Sequence, residues 1–248
     1  MRKLLWGSFL LAGIALAANA QNTAVKGATA TVTNFNPAKG TATVEVFNKS
    51  DKDITAYSLA IETVFKDHQI DRSERMGDYG AAMTARGEAL HPGQTGTEAL
   101  QISSPKPGNS VTSIKATLVA VVFADQTAEA SDSEALDRIV EHRTSEAEMT
   151  QMSVDAVSQA LAGTSQDLGA TAAKIIRDRL QTPRPVNSKG PGISEEYMKY
   201  KAAEFEKTPQ SAASRHVTER EYLTQRLGEL EEQAQQQETF AQIRRQPG

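Results

Sequence analysis

The sequence predicts an α+β protein: an antiparallel β-sandwich, then a helical C-terminal region with a partly disordered tail. Three observations predict it. Before about residue 130, Thr, Val, Ala and Ile alternate with a period of two. After it, Glu, Gln, Arg and Ala dominate, and apolar residues recur every three or four positions. Between the early apolar runs lie short clusters of Asn, Pro, Lys, Asp and Gly. Strands followed by helices, without interleaving, imply adjoining units and not a parallel sheet wound with helices.

The first twenty residues read as a signal peptide. Arg2 and Lys3 precede an apolar run from Leu4 to Ala17, and Ala18-Asn19-Ala20 supplies the small residues of a cleavage site. The run is shorter than the roughly 20 apolar residues of a membrane span. Cleavage would make Gln21 the first residue and take the formal charge from −4 to −6, by loss of Arg2 and Lys3. With no cysteine, neither disulfides nor a lipid-anchored cysteine is open to the chain, so its stability must come from an ordinary core. A periplasmic or secreted location is expected. The acidic balance argues against nucleic acid, which demands a basic footprint. Aromatic residues make up only 5% of the chain, so stacking platforms are scarce.

The sandwich is expected over residues 21–130. Its first strand is "GATATVTNF", with Ala28, Ala30 and Val32 on one face, and "NPAKG" (36–40) turns the chain into "TATVEVFN", where Ala42, Val44 and Val46 are in phase. "NKSDKD" is a second polar turn. "ITAYSLAIETVF" follows, with Tyr57, Leu59, Ile61 and Phe65 on one face. Residues 66–88 are charged and weakly periodic, and read equally as a functional loop or a short edge strand. "HPGQTG" leads into the strand "TEALQIS". In "SIKATLVAVVFAD", Leu118 to Phe123 is apolar on both faces, which marks the most buried, central strand.

A helical region is expected over 131–181. Ser131 and Glu134 have capping-box spacing, and Leu136, Ile139 and Val140 share a face. The stripe continues through Met149, Met152, Val157 and Leu161 to Gly163. A second helix, capped by Thr164 or Ser165, carries Leu168, Ala172, Ile175, Ile176 and Leu180. Residues 182–193, rich in Pro and Gly, read as a linker. From Gln181 onward only ten of 68 residues are Val, Ile, Leu, Met or Phe, which predicts no core of its own for the tail, 194–248. Within it, Ser194 caps a short helix and a longer one spans about 219–244. Leu223, Leu227, Leu230 and Ala234 approach heptad spacing there, so these leucines are candidate partner or self-pairing contacts.

No catalytic motif stands out. The four histidines, at 68, 91, 142 and 216, make no H-E-x-x-H or H-x-H pair. Asp67, His68 and Asp71 cluster within five residues and are the candidate ligands for a divalent ion. Asn48, Asp51 and Asp53 lack the glycine and closing glutamate of a calcium loop and read as a hairpin turn. Glu74 and Asp78 form an acidic pair with no cleft yet around it. No G-x-S-x-G elbow or phosphate loop is present.

Three stretches carry a resemblance: Asn48 and Ser50 in the second polar turn, Leu90, Pro92 and Gly93 in the next, and the late strand closing at Phe123 to Asp125. Over residues 25–130 the chain resembles a bacterial extracellular immunoglobulin-like sandwich of the FxLYD or CARDB-like kind. Two features depart from that pattern: Asp125-Gln126 stands where Asp-Gly suits a tight hairpin, and 66–88 has no counterpart. The resemblance implies an immunoglobulin-like antiparallel β-sandwich and brings no catalytic residues and no cofactor. The expectation is an exported binding or scaffold protein with a protein partner in the cell envelope, contacted through the tail or through 66–88. The alternatives are a divalent-metal enzyme built on Asp67, His68 and Asp71, and a structural subunit of an envelope assembly that self-associates through the tail.

Overall fold

Alternating β-branched residues and alanine build a three-stranded sheet first. The computed structural model describes residues 25–79, 89–102, 108–181 and 195–245. The strands β1 (Ala28–Asn36) and β2 (Thr41–Asn48) form an antiparallel hairpin, and β5 (Thr95–Gln101) pairs with the other edge of β2. In the turn, Gly40 has φ +62, and a Cβ there would strike the Ile102 carbonyl, so glycine is required on both counts. Ala28, Ala30, Ala42, Val44, Val46 and Leu100 point inward.

The second sheet has the order β4-β3-β6-β7-β8. It comprises β3 (Ile54–Phe65), β4 (Ile70–Asp78), β6 (Val111–Phe123), β7 (Thr127–Ala130) and β8 (Arg244–Arg245). All its pairings are antiparallel except that of β8 with β7. As expected, Tyr57, Leu59, Ile61 and Phe65 line the core between the sheets, together with Leu118, Val121 and Phe123. β6 is the middle strand of the five.

The two-faced apolarity of β6 has a specific cause. The β3–β6 register shifts between Ser58 and Leu59, which places Val119 as an extra residue in β6. Leu118, Val121 and Phe123 then enter the sandwich, while Val119, Ala120 and Val122 join Ala56 and Ala128 on the outer face. Helix α1 (Ser133–Ala162) covers that outer face with Ala135, Leu136 and Ile139. The Val119 carbonyl accepts from the Ser131 amide at 2.9 Å, so the bulge also anchors the entry to the helix. The cap is Asp132, whose carboxylate accepts from the amides of Glu134 and Ala135. The expected Ser131–Glu134 box is thus displaced by one residue, because Ser131 is engaged with the bulge.

Helix α1 is one continuous element of 30 residues, about 45 Å long at 1.5 Å per residue. Its second half leaves the sheet and builds a bundle with α2 (Leu168–Gln181), α3 (Glu195–Glu206), α4 (Thr208–Ser214) and α5 (Glu219–Ala241). α2 starts three residues later than expected of a Thr164 or Ser165 cap. Asp167, whose Oδ1 accepts from the Ala170 amide, closes that end instead. The linker, 182–193, lies outside the described residues, as do Ser194 and the segment 1–24.

The expectation that the tail lacks a core and is partly disordered is corrected over 195–245. Met198, Ala202, Phe205, Leu223, Leu230 and Ala234 complete an apolar cluster begun by Met149, Val157 and Ala160 of α1 and Ile176 of α2. Few large apolar residues suffice, because alanine and glycine let the helices approach closely. At Gly169 a Cβ would fall 2.5 Å from the Phe205 carbonyl. α5 begins with a full capping box, Thr218 with Glu221, and ends at Ala241, before the expected limit near residue 244.

Candidate functional site

The best-built polar site lies where the sandwich, α1 and α5 meet. Arg143 sits one turn beyond Ile139 on the buried stripe of α1. Its Nε donates to Asp78 Oδ2 at 2.8 Å and its Nη2 to Asp78 Oδ1 at 2.9 Å. Nη2 also reaches Thr55 Oγ1 at 3.2 Å, and Nη1 the Phe240 carbonyl at 3.2 Å. The guanidinium lies 5.4 Å from the centroid of the Phe240 ring. Both side chains of the ion pair are 3% exposed. A planar five-donor fork suits this role, and an ammonium would not match it. Thr55 in turn donates to the Val122 carbonyl, so the network reaches the β6 backbone.

A second arginine repeats the arrangement nearer the helix start. Arg138 meets Glu74 Oε2 at 2.5 Å, and Ser58 Oγ donates to Glu74 Oε1 at 2.5 Å. That contact raises the Arg138 pKa above its ordinary value despite some desolvation. Glu74 and Asp78, the acidic pair of the sequence, are therefore the two points at which α1 grips β4. Each carboxylate is paired with an arginine, an arrangement that positions the helix on the strand.

No protein-family model, no curated protein and no solved structure matches the chain. The site is therefore read from its own geometry. Among the described residues, no helix is long and apolar enough to cross a membrane.

The other candidate residues fall in separate places. Residues 70–78 of the uncertain 66–88 stretch form β4, an edge strand, and 80–88 lie outside the described residues. Asp67 and His68 make the β3–β4 turn. His68 has φ +65, the Asp67 carboxylate accepts from the Gln69 amide at 3.0 Å, and the Phe65 amide donates to the Gln69 carbonyl. Asp67, His68 and Asp71 are all exposed. No group of three or more His, Asp or Glu side chains is placed to hold a metal among the described residues. Leu223 and Leu230 are 0% and 2% exposed inside the helical bundle, and Leu227 is half-buried against it. These leucines belong to the core that α5 shares chiefly with this chain's own α1 and do not form an open seam.

The "NKSDKD" stretch is a turn organised by a buried amide. Asn48 Nδ2 donates to the carbonyls of Lys52 and Leu90, at 2.8 and 2.7 Å. Its Oδ1 accepts from the Ser50 amide and hydroxyl, at 3.0 and 2.7 Å. A cleft of about 250 Å³ on the bundle is lined by Glu204, Arg215, Tyr222, Gln225, Arg226 and Glu229. Burial works against the charge of Arg226, but Glu229 and Glu204 hold its pKa above the ordinary value. The cleft is thus internally neutralised.

Arg143 was not among the sequence candidates. Its signal was present: a cation four residues after Ile139, on the stripe that begins at Leu136. What remained hidden was its partner, 65 residues away in a strand of uncertain assignment.

Proposed function

We propose that this is an exported, non-catalytic binding or scaffold protein of the bacterial envelope. In this reading an immunoglobulin-like sandwich is the platform, and the helical bundle is held on it as a rigid extension. The Arg143 fork carries the proposal: one side chain joins β3, β4, α1 and the end of α5 through four hydrogen bonds. Such a junction suits presentation of a surface at a set orientation, since an interdomain contact without one permits relative motion. The two-sheet arrangement, with β1-β2-β5 facing β4-β3-β6-β7, supports the immunoglobulin-like part of the reading.

The contact surface is the edge of β4. It exposes Ile70 and Met76, beside Asp71, Arg72 and Arg75. Apolar side chains on an exposed edge strand, interleaved with charges, suit recognition of a protein surface. The bundle leucines no longer serve, because they are packed into the bundle core, chiefly against α1.

The test is a pull-down from envelope extract with the mature chain, 21–248, and with its Ile70→Glu/Met76→Glu variant. A bait ending at residue 181 is unsuitable, since it would strip α1 of the helices that complete its core. Partner capture by the mature chain, lost in the variant, supports the reading. Equal capture by both removes β4 as the contact. Capture by neither overturns the binding reading in that extract.

A further inference from the structure

The opposite edge of the same sheet is closed by residues 244–245 of the same chain. β7 has four residues and pairs with β6 on one side. On its other side lies β8, two residues long and parallel, in the register Thr127 with Arg244 and Ala128 with Arg245. The Arg244 amide donates to the Gln126 carbonyl at 2.7 Å. Ile243, half-buried, packs on the cluster of Ala56, Val119, Ala120, Val122, Leu136 and Ile139. The slot therefore has two recognition elements: a strand edge for main chain, and an apolar seat for one aliphatic side chain.

The occupant is weakly held compared with the rest of the sheet. A two-residue parallel pairing offers few backbone bonds, and parallel pairs are less stable per residue than antiparallel ones. The remaining strands of this sheet pair over nine residues or more, apart from β7 itself.

We propose that the outer edge of β7 is a docking edge for an extended peptide of a protein partner that carries an aliphatic residue at the seat of Ile243, and that β8 is its displaceable occupant in cis. Strand addition explains both parts of the slot, since main-chain bonds give affinity and the side-chain seat gives selectivity. The chemistry of the ligand is read from the segment already seated: the Ile243 side chain on its apolar cluster and the Arg244 main-chain amide on Gln126. A second copy's tail is the poorer occupant. Arg143 holds the Phe240 carbonyl, which leaves only Ala241 and Gln242 as a hinge, a reach of about 7 Å. The inference concerns the edge opposite β4 and does not depend on the reading given above for that edge.

The test uses the full mature chain and a labelled peptide of its residues 239–248. In the variant Ile243→Asp/Arg244→Pro, the aspartate removes the apolar plug and the proline removes the amide that reaches Gln126. Thermal unfolding first establishes that the variant is folded. Fluorescence anisotropy should then show saturable binding of the peptide to the variant, and binding at least about tenfold weaker to the unaltered chain, where β8 competes in cis. A peptide carrying Ile243→Asp should lose the binding. Hydrogen exchange on the unaltered chain gives a check independent of the variant: the Arg244 amide should exchange well ahead of the amides of the β3–β6 ladder. The proposal is overturned if the folded variant takes up neither peptide, if it binds both alike, or if the Arg244 amide is protected like the ladder. A dimer formed by the unaltered chain and lost in the variant would assign the edge to a second copy, and would likewise overturn it.

Discussion

Arg143 of α1 grips Asp78, the last residue of β4, through two parallel hydrogen bonds of 2.8 and 2.9 Å. The pair is withdrawn from solvent at the point where sheet, long helix and C-terminal helix converge. Burying two charges is costly, and here the cost is offset by further bonds to Thr55 and to the Phe240 carbonyl.

Removing one partner should therefore be worse than removing both. Asp78→Ala leaves a buried guanidinium without its counter-charge and should cost about 3–5 kcal/mol in urea unfolding. Asp78→Leu combined with Arg143→Met should recover much of that loss, and a double-mutant cycle measures the coupling. Single variants that cost under about 1 kcal/mol would mean that water reaches the pair and that the junction is not rigid.

The Asn48 amide closes the β2–β3 turn and ties it to Leu90. Asn48→Ala removes the bonds to the Lys52 and Leu90 carbonyls and to the Ser50 amide and hydroxyl. Those carbonyls keep the Ser50 hydroxyl and the Ile54 amide, and the Ser50 amide keeps the Gly27 carbonyl, so the cost should be about 1–3 kcal/mol. Asn48→Asp keeps the acceptor but loses both donated bonds, so it should rescue little. Denaturant midpoints of the two variants decide this.

Leu223→Ala should cost about 2–5 kcal/mol, as a fully buried leucine facing α1. Leu227→Ala, half-buried, should cost less. If the bundle and α1 form one cooperative unit, the calorimetric transition should move as a whole. A low-temperature transition for the tail alone would instead show that α3 to α5 melt separately.

Two groups predict opposite ends of the pH profile. Burial and the bond to Glu98 push the Tyr57 phenol well above its ordinary value of 10.0. A raised folded pKa contributes stability that is intact below the unfolded value and is lost as pH rises beyond it, so stability should fall above about pH 10. The Lys52 ammonium, with Thr127, holds the Asp125 carboxyl down at about 2. A lowered pKa contributes stability present above the ordinary 3.8 and lost as pH falls towards 2. The contribution is small, because the pair is largely exposed. Carboxyl NMR titration should find the Asp125 midpoint near 2, and Lys52→Ala should return it towards the ordinary range.

The strands were legible because period-two alternation needs only neighbours. Ala28, Ala30, Val44, Val46, Leu59 and Ile61 all point where their phase requires. β4 was legible only as one of two equal readings, since an edge strand with a solvated face carries little apolar signal: only Asp78 of its nine residues is buried. β7 escaped for the opposite reason. Its four residues are too few to show a period, and its turn places Gln126 at φ +67, where sequence rules favour glycine.

By itself, the sequence determined the strands β1, β2, β3, β5 and β6 and the helices α1, α2, α3 and α5, where most turns fall, and which face of β3 is apolar, because each of these depends on local spacing and backbone preference. The tertiary structure alone decided the rest. It placed α1 on the outer face of the sheet, which is why β6 is apolar on both sides. It folded the tail back so that leucines spaced for a coiled coil became the core of this chain. It also brought Arg143 to Asp78, and residues 244–245 to β7, across separations of 65 and more than 100 positions. Long-range pairing of this kind leaves no periodic trace, since two distant residues meet only after every element between them has packed.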